Sequence, residues 1–207
     1  MSHSDPIDHS SKTRHASLEA ITLRCLAGDP QAWASLVEHF ERPLYYYACR
    51  LLSDRDRALG ALQDAWVRAF ESVHTLRDAK RVAPWLYTLV RRSVQAEMGH
   101  RGRRPEVALP MGAEDAELDP AEDAPEDGID PWHDTEALHA ALLILSPASA
   151  EILTLFFLQD LTQSGVAEVL GIPVGTVKSR LYHAKRELRL VLRPDPRSTA
   201  PKERSSR

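Results

Sequence analysis

The chain has 207 residues, of which 43% are hydrophobic, 27% charged and 6% aromatic, as is typical of a folded globular protein of one large or two small domains. Two cysteines cannot form a disulfide framework, and no apolar run approaches the roughly 18 residues of a membrane span, so a disulfide-rich mini-protein and membrane insertion are excluded. The polar first residues, MSHSDPIDHSSKTRH, do not resemble a secretory signal, so we expect a cytoplasmic protein.

The net charge of −4 is distributed unevenly along the chain. Residues 105–135 contain eleven carboxylates, five prolines and no Lys or Arg, so the remainder carries +7. Low hydrophobicity with like charge opposes a packed core, and the prolines interrupt helices. We therefore predict an acidic flexible linker at 105–135 between two compact pieces, 18–104 and 136–193, and disordered tails at 1–17 and 194–207.

The first compact piece has apolar residues at helical spacing and no alternating stretch of the kind that a half-buried strand shows. Its pattern predicts a helix from Leu18 that stops at Gly28, and a second helix with Asp29 as N-cap and Pro30 at its first position. A third helix is predicted from about residue 54 and a fourth from about residue 84. We therefore predict an all-α fold.

The end of the first piece is basic, since residues 77–104 contain eight Lys or Arg and two acids. Trp85 and Tyr87 lie within this stretch. Cations neutralise phosphates and aromatic rings stack on unpaired bases, so the pattern favours nucleic acid as a partner. The alternative from the residues alone is a solvated charged helix end, with Trp85 in the core.

The second compact piece has the pattern of a helix-turn-helix. Ser146 and Pro147 cap one helix, Thr162 caps a short helix through Leu170, and a last helix runs from about residue 174 to 192. Gly171 lies where the turn requires a positive φ. All six Lys and Arg of this piece fall on or just after the last helix, which favours DNA binding over an ordinary amphipathic helix.

In the helix-turn-helix mode, the second helix enters the major groove with its first residues on base edges. The predicted base readers are therefore Thr176, Lys178, Ser179 and Arg180. Farther along the same helix, we expect phosphate contacts from Lys185 and Arg186.

These motifs resemble those of bacterial RNA polymerase sigma factors of the sigma-70 family, in particular the two-domain extracytoplasmic-function (ECF) type. The string GIPVGTVKSRLYHAKRELR is similar to the C-terminal domain of that family. The strings AGDPQAWASLVEHF, LLSDRDRALGALQDAWVRAF and APWLYTLVRR are similar to its promoter-melting domain. The resemblance implies a sigma factor that binds core polymerase, recognises and melts promoter DNA, and starts transcription at a set of promoters.

The resemblance also implies roles for particular residues and partners. The third helix is expected to dock on core polymerase, whose largest and second-largest subunits are the implied partners, through Leu62, Gln63, Asp64, Trp66 and Val67. The −10 promoter element is assigned to Arg77, Lys80, Arg81, Trp85, Arg91 and Arg92. The −35 element is assigned to the last helix, through Thr176, Lys178, Ser179, Arg180, His183, Lys185 and Arg186. An anti-sigma factor is expected as a further partner, since ECF factors often have one.

Several positions depart from the pattern of the family. Leu59 and Gly60 stand where an acidic pair is usual, and Arg92 and Ala96 stand where Asn and Asp are usual in the promoter-reading helix. In the C-terminal domain, Gly165 replaces a frequent Glu and His183 a frequent Arg. The change at Leu59 and Gly60 bears on the strength of polymerase binding. The change at Arg92 and Ala96 bears on the −10 sequence that is recognised.

Two other classes of function compete with this interpretation. One is a helix-turn-helix regulator that binds duplex DNA without polymerase and uses residues 18–104 as a sensor or dimerisation module. The other is an enzyme, but the sequence contains no Gly-rich phosphate loop, no His/Cys ligand spacing and no nucleophile elbow. We therefore predict no catalytic residue, no cofactor and no metal site.

Overall fold

The computed structural model describes residues 7–99 and 135–192, and within these ranges every regular element is helical. The prediction of an all-α fold is thereby confirmed. Most of the predicted linker and the whole of the predicted tail 194–207 lie outside the described residues. The α-helices are α1 (Ile7–Leu26), α2 (Pro30–Leu51), α3 (Arg55–Ser72), α4 (Val82–Gly99), α5 (Thr135–Ile144), α6 (Pro147–Leu153), α7 (Gln163–Leu170) and α8 (Val174–Leu192).

Helices α1 and α2 meet at a tight, capped corner. Gly28 adopts a φ of +82°, a backbone conformation that favours glycine, and this ends α1. The Asp29 carboxylate then accepts hydrogen bonds from the backbone N–H groups of Gln31 and Ala32, as its prediction as an N-cap requires. Helix α1 begins at Ile7 rather than at Leu18, so part of the predicted tail 1–17 is helical.

Helices α3 and α4 complete the N-terminal bundle. Asp54 caps α3 by accepting from the backbone N–H groups of Asp56 and Arg57. Two short 3₁₀ turns, Val73–Thr75 and Ala79–Arg81, then lead into α4, which begins at Val82. Helix α2 packs against α1, α3 and α4, and α3 packs against α4. The apolar faces of these helices are buried at the shared core.

The C-terminal helices form a second bundle around α8, which contacts α5, α6 and α7. The Ser146 hydroxyl caps α6 by accepting from the Ser149 N–H, as predicted. After α6 the chain makes a π-helical turn, Thr154–Leu158, and Asp160 then adopts a positive φ of +50°. These two features reorient the chain between α6 and α7.

The two bundles pack against each other. Helix α4 lies on α7, and buried side chains of both pieces form one contiguous hydrophobic core. Direct hydrogen bonds join the pieces as well, including one from the Tyr47 hydroxyl to Glu151 Oε1 at 2.8 Å and one from Arg50 Nη2 to the Leu142 carbonyl at 2.6 Å. The described parts of the two predicted pieces therefore form one folded body.

Candidate nucleic-acid and polymerase interfaces

Helices α7 and α8 form the predicted helix-turn-helix. The Thr162 hydroxyl accepts from the Gly165 N–H at 3.1 Å, which caps α7. Gly171 ends α7 with a φ of +68°, and its N–H donates to the Ala167 carbonyl at 2.9 Å. Ala167 is buried where the two helices approach each other. The local sequence thus fixes both the start and the end of α7.

Helix α8 is amphipathic, and its outward face is cationic. Its inward residues Val177, Leu181, Ala184 and Leu188 are buried against the bundle. The exposed face carries Lys178, Ser179, Tyr182, Arg186 and Arg189, which recur at helical spacing. A face of this kind can place cations against phosphates and polar groups against base edges.

The predicted −35 residues occupy different environments on α8. Lys178, Ser179, His183 and Arg186 are exposed, and Thr176 is half-buried at the start of the helix.

Arg180 is half-buried, and its Nη1 is a buried atom without a hydrogen-bond partner among the described residues. Lys185 lies over two aromatic rings, with Nζ at 5.2 Å from the centroid of Phe157 and 5.8 Å from that of Phe156. Lys185 is therefore held against the bundle rather than on the outward face.

Tyr182 also belongs to this surface, although it was not among the predicted residues. Its side chain is 55% exposed and lies on the same face as Lys178. The signal was its position between two predicted polar contacts, four residues after Lys178 and four before Arg186. An exposed aromatic ring offers an apolar contact to a base edge, such as the methyl group of thymine.

The six residues assigned to the −10 element divide into free and paired side chains. Arg77 and Arg92 are exposed, while Trp85 is half-buried and packs against the hydrophobic core. Lys80 is exposed, with its Nζ 4.0 Å from Glu19. Arg81 and Arg91 form ion pairs with carboxylates of the C-terminal helices.

Arg81 donates from Nη2 to Glu168 Oε2 at 2.6 Å and from Nε to the same oxygen at 3.1 Å. This hydrogen-bonded carboxylate raises the pKa of Arg81. Arg91 Nε donates to Glu151 Oε1 at 3.0 Å, and the two side chains are only 13% and 1% exposed. Both arginines lie in or beside α4, and both glutamates belong to the C-terminal bundle.

Two tyrosines line the same junction. Burial, followed by the nearby Glu151 carboxylate, raises the pKa of Tyr47 well above its usual value, so its hydroxyl stays protonated and donates to that carboxylate. Burial also raises the pKa of Tyr87, whose hydroxyl donates to Gln159 Oε1. The rings of Tyr47 and Tyr87 meet edge to face at 5.3 Å.

The predicted polymerase-docking residues on α3 do not all face outward. Gln63, Asp64 and Val67 are exposed. Leu62 is only 2% exposed and belongs to the hydrophobic core, so it supports the helix from inside and is not part of the docking surface. Trp66 is half-buried, and its Nε1 has no hydrogen-bond partner among the described residues.

An exposed apolar patch extends this surface beyond the predicted residues. Phe70 is 67% exposed, and its ring lies 5.3 Å from that of Trp33 on α2. Leu59 is also exposed and lies on α3 at helical spacing from Val67 and Phe70. We name the exposed residues Leu59, Gln63, Asp64, Val67 and Phe70 the α3 stripe. The sequence did not predict Phe70 as a member of this surface, and it singled out Leu59 only as a departure from the family pattern that bears on polymerase binding.

The described residues contain no group of His, Cys, Asp and Glu side chains arranged to hold a metal ion. Within the same ranges, no helix combines the length and apolar character required to cross a membrane. The two cysteines are free thiols, and burial raises the pKa of Cys25.

Two family models match the chain. Residues 36–104 match sigma-70 region 2, and residues 135–188 match sigma-70 region 4. Among curated proteins, the chain is 28% identical over 182 residues to the RNA polymerase sigma-H factor of Pseudomonas aeruginosa, covering 85% of this chain and 94% of that protein. It is 25% identical over 178 residues to the ECF RNA polymerase sigma factor SigW of Bacillus subtilis, covering 80% and 91%.

Solved structures share the same fold. The sigma factor RpoE of Bartonella quintana, solved in complex with the anti-sigma factor NepR, matches with a TM-score of 0.56 and 23% identity, over 78% of this chain and 97% of that chain. CnrH in complex with the cytosolic domain of CnrY matches with a TM-score of 0.55 and 20% identity, over 84% and 96%.

Proposed function

Since this chain belongs to the sigma-70 family of RNA polymerase sigma factors, in its ECF group, we propose a division of promoter recognition among its helices. The chain binds core RNA polymerase and directs it to promoter DNA, where transcription begins. Sigma factors are initiation factors, and we infer that RNA synthesis is left to the core enzyme. The proposed domains are residues 18–104 for polymerase binding and the −10 element, and 136–193 for the −35 element.

Helix α8 is proposed to read the −35 element. The observation that supports this is its outward cationic face on the second helix of a helix-turn-helix, the element that enters the major groove. Lys178 and Ser179 near the start of the helix suit base edges, while Arg186 suits the phosphate backbone. Thr176, Arg180 and His183 remain proposed contacts, and Arg180 requires a rotation that frees its buried guanidinium nitrogen.

Helix α4 and the turns before it are proposed to melt and read the −10 element. Arg77, Lys80 and Arg92 support this because they are exposed cations on this segment. Trp85 braces α4 against the core and gives the helix a fixed orientation. Arg81 and Arg91 join the DNA surface only when Glu168 and Glu151 release them.

The α3 stripe is proposed to dock on core polymerase. Its support is the exposure of Val67 and Phe70, because apolar side chains on the surface of a helix mark interaction sites when they lie together. Leu59 adds apolar area where an acidic residue is usual in the family. We also propose an anti-sigma partner, as RpoE has in its complex with NepR, and a cytoplasmic location.

The test is run-off transcription with purified core polymerase on genomic fragments that include the gene's own promoter. We expect transcripts with the full chain plus core polymerase and none with either component alone. Binding of duplex promoters by the free protein, without transcripts when polymerase is added, would favour an ordinary helix-turn-helix regulator instead.

The docking surface is tested by the double substitution Gln63→Ala plus Asp64→Ala. Both side chains are exposed, so the fold is retained while affinity for core polymerase falls. Gln31→Ala plus Glu38→Ala on α2 is the matched control, since it also removes one exposed amide and one exposed carboxylate. Equal polymerase affinity of the two double variants would remove the α3 stripe from the proposal.

A further inference from the structure

Lys185 holds α8 against two aromatic rings of the C-terminal bundle. Its Nζ lies 5.2 Å from the ring centroid of Phe157 and 5.8 Å from that of Phe156, and the two rings meet edge to face at 4.8 Å. An ammonium group within about 6 Å of a ring centroid is attracted by the negative face of the ring. The half-buried Lys185 side chain therefore has two partners inside its own bundle.

The two rings belong to the π-helical turn that follows α6. The Gln159 N–H donates to the Thr154 carbonyl at 3.1 Å within this turn, where Phe156 and Phe157 are consecutive and half-buried. Turns of this kind are uncommon and occur frequently at functional sites. Here the turn brings both rings to one ammonium group of α8.

A second side chain of α8 binds the opposite end of α6. Glu187 Oε1 accepts from the Ser146 N–H at 3.1 Å, and the Ser146 hydroxyl in turn accepts from the Ser149 N–H to cap α6. Lys185 and Glu187 thus join α8 to the turn after α6 and to the start of α6. Two polar contacts at separate points restrain the tilt of α8 more closely than its apolar face does alone, because hydrogen bonds and cation–π contacts are directional.

Small changes in the tilt of α8 have large effects at its start, where the proposed base readers lie. An α-helix rises about 1.5 Å per residue, so Lys178 lies about 10 Å along the axis from Lys185. A tilt of about 6° at Lys185 therefore moves Lys178 by about 1 Å, which exceeds the spread of donor–acceptor distances in a hydrogen bond. The orientation of α8 thus decides which base edges its first residues reach.

We propose that Lys185, Phe156, Phe157 and Glu187 form a positioning clamp, which sets the tilt of α8 and thereby the −35 bases that the chain selects. Lys185 acts through the helix and makes no contact with DNA, because its ammonium group faces the rings. The exposed Arg186 beside it remains the phosphate contact. This inference rests on the proposed −35 role of α8.

The test uses the full chain bound to core polymerase and a promoter duplex found by run-off transcription. The same duplex with a scrambled −35 region is the reference, and the ratio of the two affinities measures −35 selectivity. Lys185→Met keeps the unbranched stem and removes the charge. We expect it to lower this ratio about tenfold, which is the size of one lost base contact. The dependence of affinity on salt should not change, since no phosphate contact is lost.

Lys185→Arg is the matched control, because arginine keeps a cation over the rings and should retain the ratio. The double variant Phe156→Leu plus Phe157→Leu should lower the ratio by a similar factor. Adding Lys185→Met to it should cause little further loss, since the ammonium group and the rings act as one unit.

Glu187→Ala tests the second contact and should also lower the ratio, whereas Glu187→Gln keeps an accepting oxygen for the Ser146 N–H and should retain it. Circular dichroism and thermal unfolding verify that each variant is folded at the temperature of the binding assay.

Failure of the clamp and failure of the −35 assignment give different results. An undiminished ratio in Lys185→Met would overturn the clamp. A fall in the salt slope by about one at an unchanged ratio would overturn it as well, because that result marks a phosphate contact. If the natural chain itself binds the two duplexes equally, the −35 role of α8 fails and the clamp fails with it.

Discussion

At the scale of single residues, the two lysines of α8 show why charge alone does not identify a DNA contact. Lys178 projects from the outward face, whereas Lys185 is held over the rings of Phe156 and Phe157. The sequence predicted a phosphate contact for both Lys185 and Arg186 because they lie beyond the first, base-reading residues of the helix. The structure separates the neighbours, since consecutive helical residues point about 100° apart.

Arg186→Ala is therefore expected to weaken binding to all duplex sequences alike and to reduce the slope of log affinity against log salt by about one. Lys185→Ala should change that slope less, because its ammonium group must leave two aromatic rings before it reaches a phosphate. Duplex binding by the polymerase complex, titrated at several salt concentrations, measures both slopes. Equal losses in the two variants would contradict the distinction.

Asp160 has a positive φ, a backbone conformation that costs free energy for a residue with a Cβ. Its φ of +50° is accessible to aspartate but costs less for glycine, which lacks a Cβ. Asp160→Gly is expected to raise the free energy of unfolding by about 0.5–1 kcal/mol, and Asp160→Ala to lower it by a similar amount. Thermal or urea unfolding followed by circular dichroism provides the measurement. Stabilisation by alanine would refute this account.

At the scale of elements, sequence pattern predicted the helix ends that depend on local chemistry. The caps at Asp29, Ser146 and Thr162 and the positive φ of Gly171 are confirmed, because each depends on residues within one helical turn. The start of α1 at Ile7 was missed since residues 7–17 have no apolar period. The π-helical turn was missed as well, because its hydrogen bond from the Gln159 N–H to the Thr154 carbonyl has no sequence signature.

The N-cap of α2, Asp29, makes the stability of the protein depend on pH. Hydrogen bonds from Arg24 and then from the Gln31 N–H hold the pKa of Asp29 below its usual value. A carboxyl whose pKa is lowered by folding stabilises the protein above its unfolded pKa of about 3.9, and this contribution is lost as pH falls through the folded pKa.

Asp29→Asn keeps a capping oxygen but loses the charge. The variant should therefore unfold more easily than the natural chain at neutral pH, and the difference should shrink below about pH 4. Unfolding midpoints measured from pH 3 to 7 give this difference, and a constant gap across that range would disprove the charge contribution.

At the scale of the whole molecule, the contacts between the two bundles could not be predicted from the sequence. Tyr47 and Glu151 are 104 positions apart, and periodicity reports only which face of each helix is buried. The docking surface could be predicted in part, because the exposed polar residues of the α3 stripe follow a family motif. The exposure of Phe70 and the burial of Leu62 depend on how α2 and α3 pack.

The packing of the two bundles also limits where the acidic linker can act. Glutamates of the C-terminal bundle already neutralise Arg81 and Arg91, whereas Lys178, Arg186 and Arg189 on α8 face solvent. The linker lies outside the described residues, but its eleven carboxylates are tethered between α4 and α5, so their effective concentration near α8 is high. We therefore expect the linker to compete with DNA for the outward face of α8.

Replacing Glu122, Asp123, Glu126 and Asp127 with Ser keeps the length of the linker and removes four of its charges. Binding of a random 30-base-pair duplex by the free protein should then tighten at low salt, because fewer carboxylates compete for α8. The gain should fade toward 0.15 M salt, where the Debye length is about 8 Å. The radius of gyration should not change, since the ion pairs of Glu151 and Glu168 join the two bundles independently of the linker. Unchanged affinity at low salt would leave the linker as a spacer, whereas expansion would show that the linker helps to keep the bundles together.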